Sequence, residues 1–338
     1  MLKTFFLIII PFTLLFSACS TTQSLSSVSD KNLSTTMQQP NPLSIAALKA
    51  REYPGSDFSF DTELADSNTY KQFVVSYLSD GLKISGLLTI PKGTPPPGGW
   101  PVIIFNHGYI PPEQYRTTER YVAYVNGFAS KGFVVFKPDY RGHGSSEGEP
   151  TGAYFSPGYT VDVLNAVASV RKLKEVNKDR IGMWGHSMGG MITVRAISVD
   201  RGIKAAVIWA GVVVDYPELI NNWRRTTGFR PSQREQTASR SSRAQLIEQY
   251  GNPDQQSSFW LEISPWADLP KIETPIQLHA AKGDAEVPWE FSQSHYTKLQ
   301  SLNKPSELYL YEGSDHNLSG ATFSQAMTRS VKFFQDYL

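Results

Sequence analysis

Short apolar runs alternate with segments of helical spacing from Pro101 to the end of the chain, and this alternation constrains the fold more than any other feature. A short apolar run bounded by turns is typical of a strand buried on both faces, as in parallel sheets covered by helices. The sequence therefore predicts an α/β architecture. The strands are predicted at residues 101–105, 133–138, 180–185, 203–211, 276–281 and 307–311, and the helices at residues 118–130, 159–174, 188–199, 289–302 and 322–338.

Two β-rich runs precede this alternation, at residues 72–79 and 82–91, and Asp80-Gly81 between them is a hairpin signal. They bring the predicted sheet to eight strands, mostly parallel, with helices on both faces. The interval 212–270 is far longer than an ordinary connection between strands, and it has helical spacing at residues 242–250. We therefore expect a helical cap insertion over the carboxyl edge of the sheet.

A G-x-S-x-G motif lies where a predicted strand ends and a helix begins: Gly185-His186-Ser187-Met188-Gly189. A strand-turn-helix context is what this motif requires, because the strained turn exposes the serine hydroxyl at the sheet edge. A serine at a helix start is otherwise an ordinary cap. In this context the sequence predicts Ser187 as a nucleophile.

A serine nucleophile needs a base, usually histidine, and the base needs a carboxylate to hold its tautomer. In this architecture the chain order is serine, acid, histidine, which excludes the histidines at 107, 143 and 186. His279 falls in a predicted strand and His295 in a predicted helix, where packing or solvation is the expected role. His316 follows the last predicted strand and is the predicted base.

The predicted acid is Asp284, because it directly follows the strand at 276–281. Asp215, which follows the strand at 203–211, is the alternative. Asp315 and Glu286 are expected to be solvated loop charges.

An oxyanion hole needs preorganised backbone donors, ordinarily one after the nucleophile and one from the loop after an earlier strand. Met188 supplies the first predicted N–H. Tyr109 supplies the second, because Asn106-His107-Gly108-Tyr109 follows the strand at 101–105 and its glycine permits a close turn.

Composition argues against several other classes of function. Thirty-two Lys and Arg against 31 Asp and Glu leave a formal net charge of +1, which gives no general attraction for nucleic acid. One cysteine rules out an intrachain disulfide or a four-cysteine zinc site. HExxH, P-loop and GxGxxG motifs are absent, so no metal, nucleotide or other cofactor is expected.

The first residues have the pattern of a secretory signal: Lys3 precedes an apolar run too short to span a membrane, and small residues precede Cys19. We expect a signal peptide at 1–18, a flexible polar tether at 19–45 and a folded α/β domain at 46–338. Residues 15–19 resemble the lipobox of bacterial lipoproteins. The resemblance implies cleavage before Cys19, lipid attachment to it, export, and anchoring to a bacterial envelope membrane. An ordinary secretory signal with an incidental cysteine is the alternative.

From about residue 72 to 338 the chain resembles the α/β-hydrolase superfamily. The resemblance lies in the G-x-S-x-G turn at 185–189, called the elbow below, and in the segments 139–146, 179–182 and 284–288. The branch it resembles most is the prolyl oligopeptidase-like (S9) serine hydrolases, which cleave peptides or small esters. The resemblance implies a small ester or short peptide as substrate. S9 peptidases commonly have tyrosine after the nucleophile, where this chain has Met188, so an esterase is slightly favoured over a peptidase.

Two other functions stay open: a lipid-anchored binding protein that keeps the fold without turnover, and a lipase. Arginines cluster in the predicted cap and could receive an anionic substrate, although a solvated helix face is the more ordinary role. They are Arg224, Arg225, Arg230, Arg234, Arg240 and Arg243. Trp223, Phe229 and Trp260 could line an acyl pocket or pack the cap.

Overall fold

The computed structural model describes residues 40–223, 231–254 and 256–338. The predicted signal peptide, Cys19 and residues 19–39 of the predicted tether lie outside the described residues. So do Phe229, Arg224, Arg225 and Arg230, together with the side chain of Arg234. Packed structure begins inside the last residues of the predicted tether, where Leu43 and Ile45 are buried.

A nine-stranded sheet runs through the described part of the chain, in the order β1-β2-β3-β5-β4-β6-β7-β8-β9. Strands β1, β2, β3 and β5 pair antiparallel, and all pairings from β5 through β4 to β9 are parallel. The strands are β1 Ser59–Glu63, β2 Tyr70–Ser79, β3 Leu82–Pro91, β4 Trp100–Asn106, β5 Val134–Pro138, β6 Val176–His186, β7 Ile203–Trp209, β8 Ile276–Ala281 and β9 Ser306–Tyr311.

The sheet has one strand more than the eight predicted, and the additional strand is β1 at the edge. All of its residues are exposed, so it has no buried face and no apolar alternation to mark it. Its position rests on antiparallel pairing with β2, where Phe60 lies opposite Val75. A strand held mainly by backbone pairing leaves little trace in the sequence.

Helices cover both faces of the sheet, as predicted. One apolar core joins the sheet to α3, α4 and α7, and a second joins the opposite face to α2 and α8. No helix in the described ranges is long and apolar enough to cross a membrane. The helices are α1 Ile45–Lys49, α2 Val122–Ala129, α3 Gly158–Val170, α4 Met188–Val199, α5 Gln233–Tyr250, α6 Ser258–Ile263, α7 Trp289–Ser301 and α8 Ala321–Tyr337.

The interval between β7 and β8 contains α5 and α6, and the predicted helical segment 242–250 is the second half of α5. The described residues of this interval also form two short turns, a π-helical turn at Glu218–Asn222 and a 3-10 turn at Pro265–Lys271. This interval has an apolar cluster of its own, in which Tyr216, Phe259 and Trp260 pack with Phe291 of α7. Trp260 is almost fully buried there and packs the cap.

Candidate active site

Ser187 occupies a strained turn between β6 and α4. β6 ends at His186 and α4 begins at Met188, and the backbone of Ser187 has φ 54° and ψ −118°. Residues other than glycine rarely adopt such backbone angles, and those that do are concentrated at functional sites. Close packing fixes the turn, because a Cβ on Gly189 would lie 2.0 Å from the backbone oxygen of Asn106. The structure therefore has the elbow that the motif predicts.

Asp284 and His316 are joined by a hydrogen bond of 2.8 Å between Oδ2 and Nδ1. The Asp284 side chain is 1% exposed and that of His316 is 10% exposed. The other carboxylate oxygen of Asp284 accepts the backbone N–H groups of Glu286 and Val287, at 2.8 and 3.0 Å. When Asp284 is ionised and His316 is neutral, the carboxylate can only accept, so the proton lies on Nδ1 of His316 and Nε2 keeps its lone pair.

The alternative acid, Asp215, has a different place. Its Oδ1 accepts the backbone N–H of Glu218 at 3.0 Å, at the start of the π-helical turn. Asp315 stays in its own loop, where Oδ1 accepts the N–H groups of Asn317 and Ser319. Asp284 is thus the candidate acid that the structure brings to His316.

Ser187 and His316 line one cavity of about 270 Å³. Three of the residues that line it are tyrosines, and Arg120 and Glu286 also line it. The lining residues are Gly108, Tyr109, Ile110, Arg120, Tyr121, Tyr124, His186, Ser187, Glu286, His316 and Asn317. The cavity is therefore small, and polar and apolar groups share its wall.

The two predicted oxyanion donors lie at this end of the sheet. Met188 is the first residue of α4, so the helix's own ladder leaves its N–H without a partner. Tyr109 follows β4 and lines the cavity. The N–H of Gly108, one residue earlier, donates to the hydroxyl of Tyr121 at 2.9 Å.

A buried polar network supports the loop after β4. The ammonium of Lys137 donates to the carbonyl oxygens of Thr117 and Arg120, at 2.9 and 3.2 Å, and to the Tyr115 hydroxyl at 3.1 Å. Tyr115 donates in turn to Asp139 at 2.7 Å. Burial lowers the pKa of Lys137 to about 8 and raises that of Asp139. Because the network is satisfied by the loop itself, it fixes the loop's path.

The histidines excluded as bases all lie in packed positions. His107 is stacked between Tyr115 and Tyr140, with ring centroids 4.6 and 4.2 Å away. His279 and His295 are fully buried, as expected for packed residues. His143 is buried as well. His186 differs from the others, because it borders the cavity beside the nucleophile.

Sequence reasoning missed Tyr121, Arg120 and Glu286 as residues of the site. Glu286, predicted to be a solvated loop charge, is half-buried and lines the cavity. Burial raises the pKa of the Tyr121 hydroxyl, and the Glu286 carboxylate adds to that rise. No motif marks these residues, although Glu286 follows Asp284 so closely that a place near the site could have been inferred.

The described cap side chains that could have met substrate are not among the residues that line this cavity. The Trp223 indole donates to the Glu286 carbonyl at 3.0 Å, and Trp223 does not line the cavity. Arg240 and Arg243 are exposed on α5, and Arg243 donates to the Ile220 carbonyl. Within the described ranges, no group of three or more His, Cys, Asp or Glu residues could hold a metal ion.

The sequence is similar to those of serine hydrolases and of uncharacterised bacterial proteins. A family model described as serine aminopeptidase, S33, matches residues 101–255. An uncharacterised peptidase of Bacillus subtilis, YtmA, is 28% identical over 258 residues, which are 74% of this chain and 88% of that protein. The acylamino-acid-releasing enzyme of Rattus norvegicus is 25% identical over 70% of this chain and 31% of its own length.

Solved structures share the fold at low sequence identity. An acetyl xylan esterase from Paenibacillus sp. R4 superposes with a TM-score of 0.62 at 19% identity, covering 87% of this chain and 92% of the esterase. The acylaminoacyl peptidase of Pyrococcus horikoshii gives a TM-score of 0.59 at 19% identity, covering 80% of this chain and 42% of the peptidase. The chain has the α/β-hydrolase fold, and together the comparisons support a hydrolase.

Proposed function

We propose that this protein is a serine hydrolase that cleaves carboxylic ester or amide bonds of small substrates through an acyl-enzyme on Ser187. The observation that carries the proposal is the 2.8 Å hydrogen bond between Asp284 and His316, formed at the cavity that Ser187 lines from its strained turn. These three side chains are of the types that serve as nucleophile, base and orienting acid, which supports the proposal.

In the proposed mechanism, Nε2 of His316 takes the proton of the Ser187 hydroxyl as its oxygen attacks the substrate carbonyl carbon. Asp284 holds the Nδ1–H tautomer and stabilises the imidazolium that forms. The N–H groups of Met188 and Tyr109 donate to the developing oxyanion. His316 then gives its proton to the leaving group. A water molecule, deprotonated by His316, attacks the acyl carbon, and the acyl group leaves as a carboxylic acid while His316 returns the proton to the Ser187 oxygen.

The cavity favours a short acyl group over a long one. At about 270 Å³ it falls slightly below the usual range for drug-sized ligands, roughly 300–1,000 Å³. Arg120 and Glu286 also add ionisable residues to its wall, beside which a long alkyl chain is less favourable than in a fully apolar pocket. We therefore propose an esterase of small substrates in preference to a lipase, and slightly in preference to a peptidase of the S9 type.

The nucleophile is tested by comparing the wild-type protein with Ser187→Ala. Both are treated with a fluorophosphonate probe and assayed with p-nitrophenyl acetate, p-nitrophenyl octanoate and alanine p-nitroanilide. We expect labelling and turnover in the wild type only, acetate cleaved faster than octanoate, and the esters cleaved faster than the anilide. A faster anilide reaction would make the protein a peptidase.

Ser198→Ala is the matched control, because Ser198 lies on α4, the helix that follows Ser187, and its hydroxyl donates to the Val194 carbonyl at 2.8 Å. It removes a buried serine hydroxyl without touching the cavity, so labelling should persist. A Ser187→Ala variant that still turns over ester, or a folded wild type that neither labels nor turns over, would contradict the proposed mechanism. The second result would favour the binding-protein alternative.

We also propose that the protein is exported and anchored to a bacterial envelope membrane through lipid on Cys19. The support is the sequence pattern alone: an apolar run, small residues, and then the chain's one cysteine. Metabolic labelling with a fatty-acid analogue in a bacterial host should mark the wild type and leave Cys19→Ala unmarked. Export of an unlabelled wild type would indicate an ordinary secretory signal.

A further inference from the structure

A chain of hydrogen bonds joins the loop after β4 to the loop that bears His316. The Gly108 N–H meets the Tyr121 hydroxyl at 2.9 Å, and that hydroxyl lies 2.8 Å from Nδ1 of His186. Nε2 of His186 lies 3.0 Å from the backbone carbonyl oxygen of His316. We call these four groups the relay.

The proton positions in the relay follow from its two ends. A carbonyl only accepts, so Nε2 of His186 carries a proton and donates to His316. The ring of His186 is neutral, because burial, and then the neighbouring His316, lower its pKa to about 3. Its Nδ1 therefore accepts from the Tyr121 hydroxyl, whose oxygen accepts from the Gly108 N–H. Each of the four groups has a hydrogen-bond partner, and all three hydrogen bonds are donated in the direction from Gly108 to His316.

The backbone is arranged to make the relay possible. Tyr121 has φ 60° and ψ 24°, a left-handed conformation that is unfavourable for a residue with a side chain. Gly108 leaves the space that the hydroxyl needs, because a Cβ there would lie 2.7 Å from it and 3.1 Å from Nδ1 of His186. Strain of this kind persists where the surrounding structure enforces it, often at functional sites.

The first turn of α2 makes a second contact with the same loop. Tyr124, one helical turn after Tyr121, donates its hydroxyl to the backbone oxygen of Asn317 at 2.8 Å. Two consecutive carbonyls, those of His316 and Asn317, are thus held from one side. The loop that carries the base is fixed through its backbone, so the imidazole ring stays available for chemistry.

We propose that Tyr121 and His186 are positioning residues that hold the Gly108–Tyr109 turn in register with the His316 loop. This inference rests on the proposed function, in which Tyr109 supplies an oxyanion donor and His316 is the base. None of the relay's hydrogen bonds involves a reacting atom. Its role is to keep the donor and the base at a fixed separation across the cavity, where a displacement of about 1 Å can cost on the order of a hundredfold in rate.

The first test is Tyr121→Phe, which removes both hydrogen bonds of the hydroxyl and keeps the ring. We expect kcat for p-nitrophenyl acetate to fall about tenfold to a hundredfold, with KM within about twofold of wild type. The rate constant of fluorophosphonate labelling should fall by a similar factor, and this measurement needs no knowledge of the natural substrate. A kcat and a labelling rate within about twofold of wild type would refute the relay.

The second test divides the relay at His186. His186→Gln places an amide N–H near the position of Nε2 and can still donate to the His316 carbonyl. His186→Asn places an amide oxygen near the position of Nδ1 and can accept only from Tyr121. We expect His186→Gln to keep about ten times more kcat than His186→Asn. Equal losses in two folded variants would mean that His186 acts only by packing.

Tyr53→Phe is the matched control, because the Tyr53 hydroxyl donates to the Leu48 carbonyl at 2.7 Å and does not line the cavity. Its kcat should equal that of the wild type even if its unfolding midpoint falls. Ser187→Ala, assayed alongside, separates the two proposals. If it is as active as wild type, the proposed function fails; if it is inactive while Tyr121→Phe is fully active, only the relay fails.

Discussion

Acid should destabilise this protein strongly, because several histidines are buried in the neutral form. Burial lowers the pKa of His186 and His279 to about 3 and that of His295 to about 4, and it lowers the pKa of His107 as well. In the unfolded chain each has a pKa of about 6.5. Below that pH the unfolded state binds protons that the folded state does not bind. The free energy of unfolding therefore decreases as the pH is lowered.

The size of the effect follows from these pKa values. Between pH 7.5 and pH 5.0 each unfolded histidine gains nearly one proton, while His186, His279 and His295 stay neutral in the folded state. At about 1.36 kcal/mol per pH unit below 6.5, each costs about 2 kcal/mol at pH 5.0. Burial raises the pKa of Asp139, which acts in the opposite sense. We expect a net loss of about 4 to 6 kcal/mol, a large part of an ordinary stability of about 5 to 15.

Urea denaturation at the two pH values measures this loss, and His295→Asn isolates one histidine. Nδ1 of His295 donates to the Val213 carbonyl at 3.0 Å, and the asparagine amide can take over that bond. The difference in unfolding free energy between pH 7.5 and pH 5.0 should therefore shrink by about 2 kcal/mol in the variant. Ser294→Asn, at an exposed position on the same helix, should leave the difference unchanged.

Two results would refute this reasoning. If His295→Asn lost as much stability on acidification as the wild type, the folded protein would accept the proton on His295. A wild type equally stable at both pH values would mean the same for the buried histidines as a group.

Three further predictions concern the site and its support. Gly108→Ala forces the Tyr121 hydroxyl away from a contact of 2.7 Å, so kcat should fall at least tenfold with KM little changed, as steady-state kinetics would show. Asp284→Asn should lower kcat by about a thousandfold to ten-thousandfold, because it no longer holds the required tautomer of His316; a loss under tenfold would argue for another acid. Arg195→Met removes a buried guanidinium that donates to two carbonyls and a tyrosine hydroxyl, and urea denaturation should show a loss of roughly 2 to 4 kcal/mol.

Much of the fold could be predicted because its signals are local. Each strand from β2 to β9 falls within a few residues of an apolar run, since burial on both faces requires continuous apolar sequence. Ser187, Asp284 and His316 could be named because each directly follows a predicted strand, and parallel strands bring their carboxyl ends to one edge.

The relay could not be predicted, because its contacts join residues far apart in sequence. Tyr121 and His186 are 65 residues apart, and His186 and His316 are 130 apart. Nothing in the local pattern distinguishes Tyr121 from an ordinary aromatic residue at the start of a helix. The edge strand β1 was missed for a different reason, since it has no buried face to impose a pattern.

Sheet order explains why such a relay is useful at this site. β4 and β6 are neighbours, so the Gly108 turn lies beside Ser187, and β8 and β9 are neighbours, so Asp284 lies beside His316. β7 and β8 separate β6 from β9, and sheet pairing alone therefore leaves the nucleophile and the base on strands without direct contact. The hydrogen bond from His186 to the His316 loop crosses that interval. His186, the residue before the proposed nucleophile, thus links the His316 loop to the turn that holds Ser187. Tyr121 in turn links His186 to the Gly108–Tyr109 turn, which supplies the proposed oxyanion donor.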